Sequence, residues 1–233
     1  MRGIGTVVNV ITVVAGTVVG VVLGARLPER VRTAVLQAVG LVTLVIGTGE
    51  ALATRNLVFP LVSLILGAAI GEALRIEDRL DGVGERVRRR FEKGEGEDSR
   101  FVEGFVAASL LFCVGPLTVL GSIRDGLGGP DHAQLLLVKS ALDGIVSIAF
   151  ASTLGWGVGF SALTVVAVQG TLTLAAGGAD RVLTERMVTE MSATGGLMVI
   201  GIGLRLLDLK KVRVASFLPA LVIAPVGVAL FAR

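Results

Sequence analysis

Side chains suited to covalent or metal chemistry are scarce in this sequence, with one histidine and one cysteine among 233 residues. The lone Cys113 excludes an intrachain disulfide and leaves the redox compartment open. There is no HExxH, no CxxC and no phosphate-cradling glycine motif, and GVGFSA lacks the strand-to-helix setting of a nucleophile elbow. Ser140 follows Lys139 directly, so on a helix the two point apart and form no nucleophile and base pair. Neither an enzyme nor a cofactor is expected, and the residues leave a metal open. Aromatic residues make up 4% of the chain, too few to stack on bases. The pI of about 9.6 therefore does not point to nucleic acid.

Charge is scarce as well. Charged residues are 18% of the chain against 53% hydrophobic, and the mean hydropathy is +0.82. That excludes a soluble core and indicates an all-α membrane protein, in which 32 glycines suit helices packed backbone to backbone.

A bilayer crossing takes roughly 20 apolar residues, and the sequence divides into about eight such spans. The first, 4–24, is read as a retained helix rather than a signal peptide. Its Gly5, Asn9, Thr12, Gly16, Gly20 and Gly24 fall along one side, which favours close approach of another helix. The second covers 34–52 and the third 57–74. Glu50 and Glu72 lie near span ends and are read as structural groups reaching the interface. The fourth and fifth, within 101–151, flank a loop, RDGLGGPDHA. The sixth covers 157–176, the seventh 191–207 and the eighth 214–231, broken by Pro219 and Pro225.

Residues 75–100 form the one sizeable polar segment. Ile76, Leu80, Val83, Val87 and Phe91 recur at helical spacing, which predicts an amphipathic helix on the membrane surface, followed by a solvated linker. With this segment inside, fifteen lysines and arginines lie on the cytoplasmic side and six on the other. The positive-inside rule then places both termini outside the cytoplasm.

A shift of 154 aligns Gly16-Thr17 with Gly170-Thr171, Gly24 with Gly178, Arg32 with Arg186, and Val45-Ile46-Gly47 and Gly49 with Val199-Ile200-Gly201 and Gly203. Spans one and six cross in opposite directions in this topology. The expectation is an inverted repeat of three spans, 1–3 and 6–8, around a central pair, 4–5, as in many secondary transporters. The divisions are 1–74, the first repeat; 75–100, the polar segment; 101–153, the central pair; and 154–233, the second repeat.

The central pair holds the residues a membrane interior tolerates least. In the fourth span are Glu103 and Gly115-Pro116, with Ser109, Cys113 and Pro116 on one face. Pro116 releases the carbonyl of Phe112 and Gly115 permits unwinding, so backbone oxygens beside a hydroxyl or thiol become able to bind a cation or polar solute; a plain kink capped by Ser109 or by a neighbouring helix is the alternative. In the fifth, Lys139, Asp143 and Ser147 stand at i, i+4 and i+8, so the first two can pair, either as a folding device or as part of a site bordered by Ser140. Asn9 and Gln169 in spans one and six complete the candidates. Convergence of Asn9, Glu103, Lys139, Asp143 and Gln169 on one solvated cavity would favour transport, whereas separate dry pairing would favour a scaffold.

The stretches GTVVNV, FVEGFVAASLLFCVGP, LGSIRDGL, KSALDG, FASTLGWGVGFSA and QGTLTLAAG resemble the bacterial membrane proteins of unknown-function family 554, the YdfK and YqgA-like proteins, over nearly the whole chain. The resemblance implies a multi-pass protein of the bacterial inner membrane with transport as its expected activity, and it carries over no site residue. The function expected is a secondary transporter or channel for a small polar solute or ion, with a site near the midplane. A non-transporting scaffold or sensor that binds a partner through 75–100 is the other class. Besides lipid and solute, a second copy of the chain could pack on the glycine-rich helix faces.

Overall fold

Within a bilayer no water is present to satisfy backbone N–H and C=O groups, so apolar segments resolve into helices, whose hydrogen bonds are internal. The computed structural model describes residues 2–79, 82, 98–113, 115–128 and 132–231. Every regular element among them is helical: α1 (Ile4–Gly24), α2 (Glu29–Leu52), α3 (Val58–Ala73), α4 (Asp98–Cys113), α5 (Pro116–Leu127), α6 (Gln134–Leu154), α7 (Gly157–Leu174), the short α8 (Ala176–Val182), α9 (Glu185–Leu206), a 3-10 turn (Val214–Phe217) and α10 (Ala220–Phe231).

Six segments are long and apolar enough to cross a membrane: α1, α2, α6, α7, α9 and Val214–Phe231. The pair α4 and α5, bent by 61° at a short break, raises the number to seven if it forms one crossing. α3 has 16 residues, about 24 Å at 1.5 Å per residue and short of a hydrocarbon core of about 30 Å. The roughly eight spans expected from hydropathy thus become six or seven, with α3 below the usual length.

Boundaries shift where polar residues find partners. α2 begins at Glu29 rather than near 34, with Pro28 directly before it. The segment before the seventh span is already helix from Glu185, capped by Thr184, whose hydroxyl accepts from Met187 N at 3.3 Å. The loop expected from Arg124 starts later, because α5 continues to Leu127. In the last span only 220–231 is α-helical, preceded by the 3-10 turn and Pro219. Of the expected surface helix, 76–79 is helical, and Leu80, Val83, Val87 and Phe91 lie outside the described residues.

The outer surface is apolar, as a lipid-facing surface must be: Val45 is 73% exposed and Leu163 66%. Inside, glycines set the helix contacts. α1 runs parallel to α6, and β-carbons added at Gly16, Gly20 and Gly24 would overlap the carbonyl oxygens of Gly144, Ile148 and Ser152. The glycine side of the first span is therefore occupied by this same chain rather than left for a second copy. α2 runs antiparallel to α9, with Gly47 against Gly196 and Ile200 and with Gly203 against Leu44. α3 lies antiparallel to α10, with Gly67 on Ala220 and Gly71 on Ser216. α7 packs antiparallel to α1, Gly159 touching Thr17, and parallel to α4, Gly157 against Phe101.

Charges gather at the end of the bundle where α3 and α9 finish and α4 begins. Arg205 lies 3.3 Å from both Glu77 and Glu103, and Arg213 lies 2.9 Å from Glu72 and 2.6 Å from Asp78. Glu77 also accepts from Ala215 N at 2.8 Å and Glu72 from the Ser216 hydroxyl at 2.6 Å. At the opposite end Glu190, wholly buried, accepts from Arg55 N at 2.9 Å and from the Thr54 hydroxyl, and so closes the turn between α2 and α3.

Candidate functional site

The site forms around the break between α4 and α5. Pro116 has no N–H to donate and its ring excludes a continuous helix. Gly115 carries φ +136° and ψ 154°, a conformation that side chains oppose. The Phe112 carbonyl released there accepts from Thr118 Oγ1 at 2.9 Å. The kink is thus capped from within the same chain, by the first turn of α5 rather than by Ser109, and Thr118 keeps its oxygen lone pairs.

Opposite the break, α6 presents Lys139, Asp143 and Ser147 on one face. Lys139 Nζ donates to Asp143 Oδ2. Asn9 of α1 donates to the same oxygen from Nδ2 at 2.9 Å. Lys139 is 5% exposed, Asp143 7% and Asn9 0%, and the Lys139 ammonium stands 5.8 Å from the centre of the Phe112 ring. Both bonds fall on Oδ2, leaving Oδ1 without a hydrogen bond among the described residues. Asn9 Oδ1 and Ser147 Oγ are buried with no partner there. Buried polar atoms of this kind are destabilising unless something satisfies them.

A cavity of about 230 Å³ adjoins this triad, with Glu50, Phe112, Gly115, Thr118, Lys139 and Asp143 in its wall and Ile46, Leu142 and Val199 among its apolar residues. It lies between α2, the broken α4–α5 pair, α6 and α9. Glu50, expected at the interface, faces this interior space instead.

The remaining sequence candidates lie elsewhere. Glu103 pairs with Arg205, about 15 Å along α4 from the break at 1.5 Å per residue. Ser109 bonds Thr164 at 3.0 Å, and with Cys113 it lines a separate, apolar groove of about 550 Å³ between α4, α7 and α10. Ser140 donates to Leu136 O at 2.6 Å, within its own helix. Gln169 is wholly buried on α7, and neither amide atom has a partner among the described residues. The structure therefore brings together Asn9, Lys139, Asp143 and Gly115, with Pro116 starting α5, sets Cys113 at the break on the side of the apolar groove, and leaves Glu103, Ser109 and Gln169 apart.

Sequence reasoning missed Thr118, Asp125 and Glu190, and misplaced Glu50. Asp125, wholly buried, accepts from Gly5 N at the start of α1 at 3.0 Å and lies 2.8 Å from His132 Nδ1. The helix N-terminus and the imidazole allow a carboxylate where hydropathy suggested a loop. Ser122 and Asp125 fall one turn apart after Thr118, a helical spacing that was the available signal.

The sequence profile of a family described as protein of unknown function, DUF554, matches residues 4–229. The uncharacterized membrane protein YdfK of Bacillus subtilis is 30% identical over 228 residues, which cover 95% of this chain and 94% of that protein. The uncharacterized protein YqgA of Escherichia coli is 31% identical over 223 residues, again 95% and 94% of the two chains. No solved structure matches.

Proposed function

The chain belongs to the DUF554 family, and from that premise we propose that this membrane protein is a secondary transporter or channel for a small polar solute or ion, whose site is the cavity beside Lys139 and Asp143. One observation carries the reading: a buried ion pair, bridged to a second helix by Asn9, faces a cavity at the point where a crossing is broken. Charges in hydrocarbon are unfavourable and concentrate at solute paths, and broken helices near the midplane are where transporters place their sites.

Helix packing supports the inverted repeat. Each span of the first half packs antiparallel on its counterpart in the second: α1 on α7, α2 on α9, α3 on α10. Moreover, α1 runs parallel to α6 while α7 runs parallel to α4, the relation a two-fold axis in the membrane plane would generate if it exchanged the two central spans. These directions agree with eight alternating crossings, α3 and the bent pair included. The glycines do not repeat so well, since Gly16 is packed on α6 whereas Gly170 meets open space. In this reading the protein resides in the bacterial inner membrane with the 75–100 segment cytoplasmic and both termini outside, on the loop charge asymmetry.

Thiol accessibility tests it. In a Cys113→Ser background, Thr118→Cys should react in intact cells with a small, charged methanethiosulfonate, because a solute path admits water. Val138→Cys, on the lipid-facing side of α6 with the native residue 55% exposed, should not react, and neither should Ser99→Cys from outside. An inert Thr118→Cys would defeat the transport reading, and external labelling of Ser99→Cys would reverse the orientation.

A further inference from the structure

Four acidic side chains that the bundle holds near or within its apolar helices have partners: Asp143 has Lys139 and Asn9, Asp125 has Gly5 N and His132, Glu190 has Thr54 and Arg55 N, and Glu103 has Arg205. Glu50 is the exception. It stands in the last turn of α2, its β-carbon is set against Gly196 of α9, and its Oε1 reaches toward Gly115 at the break. Among the described residues it makes no hydrogen bond and no ion pair, yet it forms part of the cavity wall.

Charge balance then narrows what the cavity can hold. Lys139 neutralises Asp143, so with Glu50 ionised the three ionisable groups in the wall sum to one negative charge, and that charge is on Glu50. An unpaired carboxylate in a wall that is otherwise largely apolar is strongly disfavoured without a compensating charge. An anionic solute would double the imbalance, a zwitterion would leave it, and a divalent ion would reverse it. A monovalent cation cancels it.

We propose that the cavity binds a small monovalent cation, an alkali ion or ammonium, with Glu50 as its anionic ligand. Oxygen donors suited to a hard cation complete the wall: the Thr118 hydroxyl, whose proton is committed to Phe112 O, and Asp143 Oδ1, which neither Lys139 nor Asn9 uses. A space of about 230 Å³ accommodates an ion with part of its hydration shell, since a water occupies about 30 Å³ in the liquid. This assignment rests on reading the cavity as a binding site, and it gives Glu50 a role that its position near a span end conceals.

The experiment uses dicyclohexylcarbodiimide on the purified chain in detergent. A protonated carboxyl in an apolar site gives its proton to a carbodiimide nitrogen while its oxygen bonds the central carbon. The adduct rearranges to an N-acylurea that retains the whole reagent, with nothing released and no change of redox state. Mass mapping should find the adduct at Glu50 in choline chloride, and Glu50→Gln should remove it. At matched pH and ionic strength, sodium, potassium or ammonium at about ten times its dissociation constant should slow labelling roughly tenfold by mass action. Thr118→Val, measured against its own rate in choline, should need more of that cation for the same fold of protection.

Labelling that ignores all three cations would overturn the cation assignment while leaving a water-accessible cavity standing. Protection by magnesium alone, or no adduct at Glu50 in any buffer, would overturn it as well. An inert Thr118→Cys, by contrast, defeats the cavity reading on which it rests.

Discussion

Two groups of opposite charges hold this molecule in different ways. At the end near 75–100, Arg205 and Arg213 join acidic residues of three separate segments, Glu72, Glu77 and Asp78 beyond α3 and within its last turn, and Glu103 on α4. In the interior, Lys139 and Asp143 lie four residues apart on one helix, and a single amide, that of Asn9, ties them to another. The first cluster fastens helices together. The second fastens almost nothing, so its presence in the bundle interior is poorly explained by packing and better explained by what adjoins it, the cavity and Glu50.

The contrast is sharpest when the interior pair is cut. Lys139→Met or Asp143→Leu alone strands a buried charge, and each should lower stability by about 3–5 kcal/mol, whereas the double replacement should stay near wild type. Thermal unfolding of the three variants in detergent measures this. The double variant should nonetheless lack solute uptake and lose cation protection of Glu50; full activity in it would reduce the pair to a folding device.

Packing by glycine should come next in size. Gly16→Ala places a β-carbon on the Gly144 carbonyl oxygen, while Gly170→Ala meets open space. Overpacking at the first should cost about 1–3 kcal/mol, and the second should change the unfolding temperature little. Equal effects would mean that the α1–α6 seam yields readily. The smallest effect belongs to Arg213→Ala, whose ion pairs involve side chains 48–60% exposed. About 1 kcal/mol or less is expected, shrinking as salt is raised. A larger, salt-resistant loss would make the outer network resemble the inner pair.

Much of the helical framework was readable from hydropathy, because a bilayer admits few alternatives to a helix. Hydropathy places the first helix at 4–24, its observed extent, and its glycine side is a seam. The Lys139–Asp143 pair was also readable, since a spacing of four on a helix brings the groups together. What escaped was whatever depends on a distant partner. Thr118 is an unremarkable threonine until the broken helix turns it onto Phe112 O. Glu190 and Asp125 read as connection or loop because local hydropathy carries no information about an N–H more than a hundred residues away. Glu103 was charged and within a span, like Lys139, and only the position of Arg205 distinguishes a brace from a site.

The carboxylate of Glu190 that closes the α2–α3 turn follows Arg55 by 135 residues, and this separation bears on how the protein is made. At about 5–20 residues per second, a ribosome delivers Glu190 on the order of ten seconds after the turn it must cap. During that interval the early helices sit in the bilayer with an open turn and with glycine grooves that await α6 and α9. Insertion machinery or lipid has to shelter them meanwhile. A lesion late in the chain should accordingly appear first as proteolysis of its earliest helices, before any defect in the finished protein can be measured.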